Sequence, residues 1–134
     1  EQIKRLDQNI KKRNYNHKLF LKNLRNDIFF KDFNLAGSSN YGLHLILRKK
    51  NKKLFSKILK ILELNSIEYR IGSAGGGNQL RQPYLKKFRK KFNFRKFTNT
   101  EHMHFYSLYI GNYPELNRSK IINLCKILNS INIS

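Results

Sequence analysis

The chain has 134 residues, 40% of them hydrophobic and 13% aromatic, with 28 Lys and Arg against 8 Asp and Glu for a formal net charge of +20. That length holds one domain with a modest core, and the apolar content argues against a disordered chain. The single cysteine, Cys125, rules out a disulfide framework and any cysteine-based zinc site.

No apolar run reaches the roughly 20 residues that cross a bilayer, and no signal-peptide pattern opens these residues, so no membrane partner and a reducing, cytoplasmic setting are expected. The charge attracts anions without choosing among nucleic acid, lipid headgroups and phosphorylated metabolites. Part of it is background, because Asn, Ile and Lys are the residues favoured by AT-rich coding.

The opening stretch, EQIKRLDQNIKKRNYNHKLFLKNL, places Ile3, Leu6, Ile10, His17, Phe20 and Leu24 at spacings near three and four, a helical stripe already under way at Glu1. The expectation is a piece of a longer chain, with 1–25 a helix leading out of a preceding domain and 26–134 a small α+β domain. Residues 28–33 (IFFKDF) and 41–48 (YGLHLILR) read as strands, separated by a turn at 36–40. Asn51 is placed to cap a helix over 52–64, whose Leu54, Phe55, Ile58, Leu59 and Leu62 share one face.

IEYRI (67–71) reads as a strand running straight into GSAGGGNQLRQPYL. Strand, helix, strand and glycine loop in that order put the loop at the carboxyl end of a strand, where α/β layers bind ligands. Successive glycines permit positive φ and close approach of backbone to a ligand. The spacing fits neither a phosphate-binding Walker loop nor a dinucleotide GxGxxG. Two readings stand: a binding loop, because Asn78, Arg81 and Gln82 follow with oriented donors and acceptors, and a flexible surface turn.

Pro83 fits the first position of a short helix. The run KKFRKKFNFRKF (86–97) interleaves Lys and Arg with Phe88, Phe92, Phe94 and Phe97, as in single-strand binders that combine phosphate contacts with stacking; the alternative is core aromatics ringed by solvated lysines. A short helix over 99–106, capped by Asn99 or Thr100, a strand at 107–110, a turn at 111–116 and a helix over 117–131 complete the chain. That last helix buries Ile121, Leu124, Leu128 and Ile131, with Cys125 as a core thiol.

Chemistry-bearing clusters are few. His102 and His104 share a face on a strand but not on a helix, and no third ligand accompanies them, so no metal is expected. His104 reads either as a loop hydrogen-bonding group or as one lining an active-site mouth. There is no Ser-His-Asp set, carboxylate pair or Cys-His pair, and no catalytic residue is assigned.

Three ordered segments carry a resemblance: Gly76-Gly77-Asn78 with Arg81-Gln82-Pro83, then Asn99-Thr100-Glu101, then Tyr109-Ile110-Gly111-Asn112-Tyr113-Pro114. With Gln2, Leu6, Asp7, Ile10 and Arg13 of the opening helix, they resemble the C-terminal part of the DegT/DnrJ/StrS family of pyridoxal-phosphate (PLP) enzymes acting on nucleotide-linked keto-sugars. The resemblance implies the small α+β domain of a fold-type I PLP enzyme, a short, mostly antiparallel sheet packed with helices. The homodimer's cofactor would be held by a large domain upstream of Glu1.

The implied substrate is a nucleotide diphosphate sugar, destined for lipopolysaccharide O-antigen or another surface glycan. Asn78, Arg81 and Gln82 would line or support the substrate side of the cleft. Arg70 and His104 would add contacts, with Tyr106 beside them, and Gly75, Gly76 and Gly77 would offer loop backbone. Arg81 and Asn112 read equally well as ties between loops. A lysine at the cofactor-linked position implies transamination and a histidine implies 3-dehydration. The alternative from another class is a stand-alone basic module binding single-stranded nucleic acid.

Overall fold

The computed structural model describes residues 3–72, 77–88 and 91–132. A 3-10 turn, Ile3–Arg5, leads into helix α1 (Leu6–Asn23). Only the second half of its apolar stripe is covered: His17, Phe20 and Leu24 are buried, whereas Ile3 is 85% exposed and Leu6 48%. The C-terminal end of α1 is closed by a residue far away in sequence. Asn129 Nδ2 donates to the Asn23 carbonyl (2.7 Å) and its Oδ1 accepts from the Arg25 amide (3.0 Å), satisfying groups a helix end leaves open.

Strands β1 (Gly42–Ile46), β2 (Arg70–Ile71) and β3 (Ser107–Gly111) form a three-stranded sheet in the order β1-β3-β2, with both pairings antiparallel. The outer strands therefore run parallel, joined by helix α2 (Lys52–Leu64), and β3 slots between them as a split β-α-β unit. Asn51 caps α2 as its sequence position implies, Oδ1 accepting from the Leu54 amide at 2.9 Å. Helix α3 (Thr98–Tyr106) precedes β3, and α4 (Arg118–Asn129) follows it, capped by Asn117.

Alternation along the strands sends Leu43, Leu45, Leu108 and Ile110 to one face, against Ile58 and Leu62 of α2, Ile121, Cys125 and Leu128 of α4, and Phe20 of α1. Each fully buried aliphatic side chain contributes about 1.5–3 kcal/mol of transfer free energy. Cys125 is a core thiol, its Sγ 3.6 Å from the Phe20 carbonyl and its pKa pushed up to about 12 by burial. The opposite face carries the cross-strand row His44, Tyr109 and Arg70, with His44 and Arg70 exposed.

Three expectations need correction. Residues 28–33 do not form a strand: one bridge, Phe29 to Leu47, pairs them with the end of β1, and the chain then turns at Lys31, whose carbonyl accepts from the Phe33 amide. The strand at 67–71 shrinks to Arg70–Ile71, because Ser66 at φ 54° turns the chain and Ile67 bonds back to Leu62 of α2. Neither Asn99 nor Thr100 caps α3. The N-cap is Phe97, two or three residues earlier, with no side-chain cap. Among the described residues no helix is long and apolar enough to cross a membrane.

Candidate functional site

The glycine loop is cinched at its base, the Gly77 amide donating to the Gly72 carbonyl at 2.7 Å. Gly72 takes φ +49°, a left-handed turn that glycine adopts without steric cost. Gly77 is glycine for a different reason: a Cβ there would lie 2.3 Å from His104 Nδ1 and 2.8 Å from the Gly72 carbonyl. Its bare backbone lets the next amide, that of Asn78, reach His104 Nδ1 at 3.1 Å. Gly75 and Gly76 lie outside the described residues.

Asn78 turns inward and is 2% exposed. Its Oδ1 caps the following 3-10 turn, Gln79–Arg81, by accepting from the Leu80 amide (3.1 Å), and its Nδ2 donates to Glu101 Oε1 (2.7 Å). Arg81 meets the same carboxylate in a two-pronged pair, Nε to Oε1 at 2.7 Å and Nη2 to Oε2 at 2.6 Å. The guanidinium also lies over the rings of Phe94 and Phe105, 4.5 and 4.7 Å from their centroids, a stacking that its planar, weakly hydrated cation favours.

Glu101 and His104, three apart on α3, face the loop together. Hydrogen bonding from Arg81 holds the Glu101 carboxyl below the usual carboxylate range; burial opposes this, and Asn78 assists it. Partial burial lowers the His104 pKa, the Arg81 cation lowers it further, and Glu101 pulls the other way.

Asn78, Arg81 and His104 are thus gathered into one cluster with Gly77. Gln82 closes the 3-10 turn that follows Asn78, its amide donating to the Gln79 carbonyl at 2.9 Å. Arg70 stands elsewhere, beside Tyr109 on the open sheet face. The Tyr106 ring packs against His102 and Phe55. His102 and His104 part company on the helix, His102 Nε2 donating to the Leu47 carbonyl at 2.5 Å.

Asn112 ties loops through backbone carbonyls, as one of its two readings holds, with Nδ2 donating to Asn40 (2.7 Å) and Arg13 (3.0 Å). Arg81 is a tie as well, but through a carboxylate. Sequence reasoning passed over Glu101 and Phe105 as site residues and took Phe94 as a stacking ring of the basic run. Glu101 carried a signal, being the one acid between Glu68 and Glu115 in a strongly basic stretch.

No group of three or more His, Cys, Asp and Glu is placed to hold a metal among the described residues. The cluster does not fit a pyridoxal-phosphate cradle either. Its carboxylate is already bound by Arg81 and Asn78, leaving none for a pyridine nitrogen, and the Asn78 amide is bound to His104.

No protein-family model and no curated protein matches the chain. Its fold is similar to that of a GDP-4-keto-6-deoxymannose-3-dehydratase solved with a trapped PLP-glutamate geminal diamine, at 21% identity and a TM-score of 0.73. It is similar also to the E. coli GDP-4-keto-6-deoxy-D-mannose-3-dehydratase with bound hydrated PLP, at 23% identity and a TM-score of 0.74. Each likeness covers 96% of this chain and 33% of the other, so the chain spans about a third of those enzymes. The shared architecture is a small antiparallel sheet with helices.

Proposed function

We propose that this chain is the C-terminal small domain of a PLP-dependent enzyme of the DegT/DnrJ/StrS family, acting on a nucleotide-linked keto-deoxysugar in surface-glycan synthesis, with 3-dehydration favoured over transamination. The observation that carries the reading is the likeness of almost the whole chain to one third of two sugar 3-dehydratases. The motif order and the cinched glycine loop support it. So does the exposure of Ile3, Leu6, Tyr41 and Phe105, apolar surface suited to covering by a further domain or a second subunit.

On this reading the cofactor is held by residues outside these 134, where it supplies the electron sink for chemistry beside the sugar ketone. This domain contributes an electropositive wall that draws in a diphosphate sugar, and the Asn78, Arg81 and His104 cluster against which the sugar is oriented.

The test is to express the full reading frame containing these residues, load it with PLP and supply GDP-4-keto-6-deoxymannose with glutamate. Loss of the 3-hydroxyl, read by mass spectrometry, is the expected result. Gain of an amino group at the keto carbon moves the reading to transamination, and an unchanged sugar with no bound cofactor refutes the enzyme assignment.

A second reading, a single-strand nucleic-acid module, draws on one observation: Phe88, Phe92 and Phe97 are 42%, 45% and 51% exposed beside lysines and arginines rather than buried in the core. Exposed rings among cations are what base stacking requires.

A further inference from the structure

The imidazole of His104 is held on several sides. Its Nδ1 accepts from the Asn78 amide at 3.1 Å, Gly77 lies so near that a Cβ added there would stand 2.3 Å from the same nitrogen, and the ring of Phe105 stands edge-on with centroids 4.7 Å apart. A nitrogen that accepts from an amide carries no proton, so in the neutral ring the proton sits on Nε2. Among the described residues, the one buried side-chain nitrogen or oxygen without a partner is His17 Nδ1. The Nε2 of His104 makes no hydrogen bond with them, and the residue is only partly buried.

We propose that His104 Nε2–H is the donor that α3 presents beside Asn78 to an oxygen acceptor of the nucleotide-sugar, and that Glu101 is the positioning residue that keeps it there. The proposal rests on the nucleotide-sugar reading for its ligand, but not for its geometry. Glu101 acts through two neighbours. By binding Asn78 Nδ2 and both prongs of Arg81, it holds the strand of chain whose amide orients the imidazole. A fixed neutral donor suits a ketone, hydroxyl or phosphate oxygen alike, and the fixed orientation lowers the entropy cost of the contact.

Two measurements test it. In this chain labelled with 15N, a through-hydrogen-bond coupling between the Asn78 amide and His104 Nδ1, with the ring proton on Nε2, is expected. Absence of the coupling, or a proton on Nδ1, overturns the geometry whatever the function. Glu101→Gln should weaken the coupling, and a coupling of undiminished size removes Glu101 from the proposal.

In the PLP-loaded full-length enzyme, His104→Ala should raise KM for GDP-4-keto-6-deoxymannose about tenfold, the scale of one lost hydrogen bond, with kcat changed less. His104→Gln, whose amide nitrogen reaches a similar point, should recover most of the loss. Weaker inhibition of the Ala variant by GDP alone locates the acceptor on the diphosphate, and unchanged inhibition locates it on the sugar. An active enzyme whose KM ignores His104→Ala overturns the donor role and leaves the functional reading intact; an inactive wild-type enzyme overturns that reading and leaves the coupling result standing.

Discussion

Arg81 and Glu101, twenty residues apart in sequence, meet in a two-pronged ion pair with contacts of 2.7 and 2.6 Å, and the cationic end lies over the rings of Phe94 and Phe105. The carboxylate side chain is 16% exposed and the arginine 30%, so the pair is partly shielded from water and its geometry is bidentate, unlike the loose surface pairs that contribute little.

Removing the carboxylate charge should therefore be felt. Glu101→Gln is expected to cost about 1–2 kcal/mol of stability, from charged hydrogen bonds replaced by weaker ones and one Arg81 prong left without its acceptor. Urea unfolding at pH 7 measures it, and a change within about 0.3 kcal/mol would show that the pair is ornamental.

Gly77 should tolerate no side chain. A methyl group there would sit 2.3 Å from His104 Nδ1 and 2.8 Å from the Gly72 backbone, and backbone does not swing aside. Gly77→Ala is expected to cost about 1–3 kcal/mol and to speed hydrogen exchange at the Asn78 amide. Gly111→Ala, where nothing lies within 4 Å of the added Cβ, is the control and should stay within about 0.5 kcal/mol. Equal effects at the two positions would contradict the close approach.

Acid should destabilise the fold through His17. This side chain is 1% exposed, its Nδ1 has no partner, and burial first, then the neighbouring His44, lower its pKa from 6.5 to about 4. Above pH 6.5 the ring is neutral folded and unfolded, with no differential effect. As pH falls from 6.5 towards 4, the unfolded chain takes up a proton the native ring refuses, and stability drops. By pH 4.5 the loss should approach about 2–3 kcal/mol. Glu101, whose pKa is depressed in the fold, adds a further loss as pH falls below the ordinary glutamate value of 4.5. Unfolding of wild type and His17→Leu at pH 7 and pH 4.5 isolates the first contribution: a parallel drop in both proteins would acquit His17.

The basic aromatic stretch separates the two functional readings. For the enzyme domain, retention on single-stranded DNA should be weak, blind to sequence, abolished by moderate salt and indifferent to Phe92→Ala with Phe97→Ala. Stacking on those rings would instead be worth about 1–3 kcal/mol per base, so a tenfold or larger affinity loss in the double variant would favour the nucleic-acid module. Phe94 is unsuited to this test because it lies beneath Arg81.

Short-range physics was legible in the residues themselves. The Asn51 cap and the apolar face of α2, the Pro83 start of the 3-10 helix Pro83–Phe88, the strand at Ser107–Gly111 and the buried Cys125 all depend on neighbours within a turn or two, and each appears where its local pattern puts it. The glycine loop was visible too, together with the Asn78 and Arg81 that follow it.

What those donors bind was decided by the tertiary structure. Asn78 and Arg81 offer the same hydrogen-bonding groups to a sugar as to a carboxylate, and only the placement of α3 brings Glu101 within 2.7 Å of both. The strand expected at 28–33 likewise dwindled to one bridge, Phe29 to Leu47, because the chain turns at Lys31. Periodicity and caps are set by covalent neighbours; the choice of acceptor for a given donor is set by which elements pack together, through contacts spanning twenty to a hundred residues.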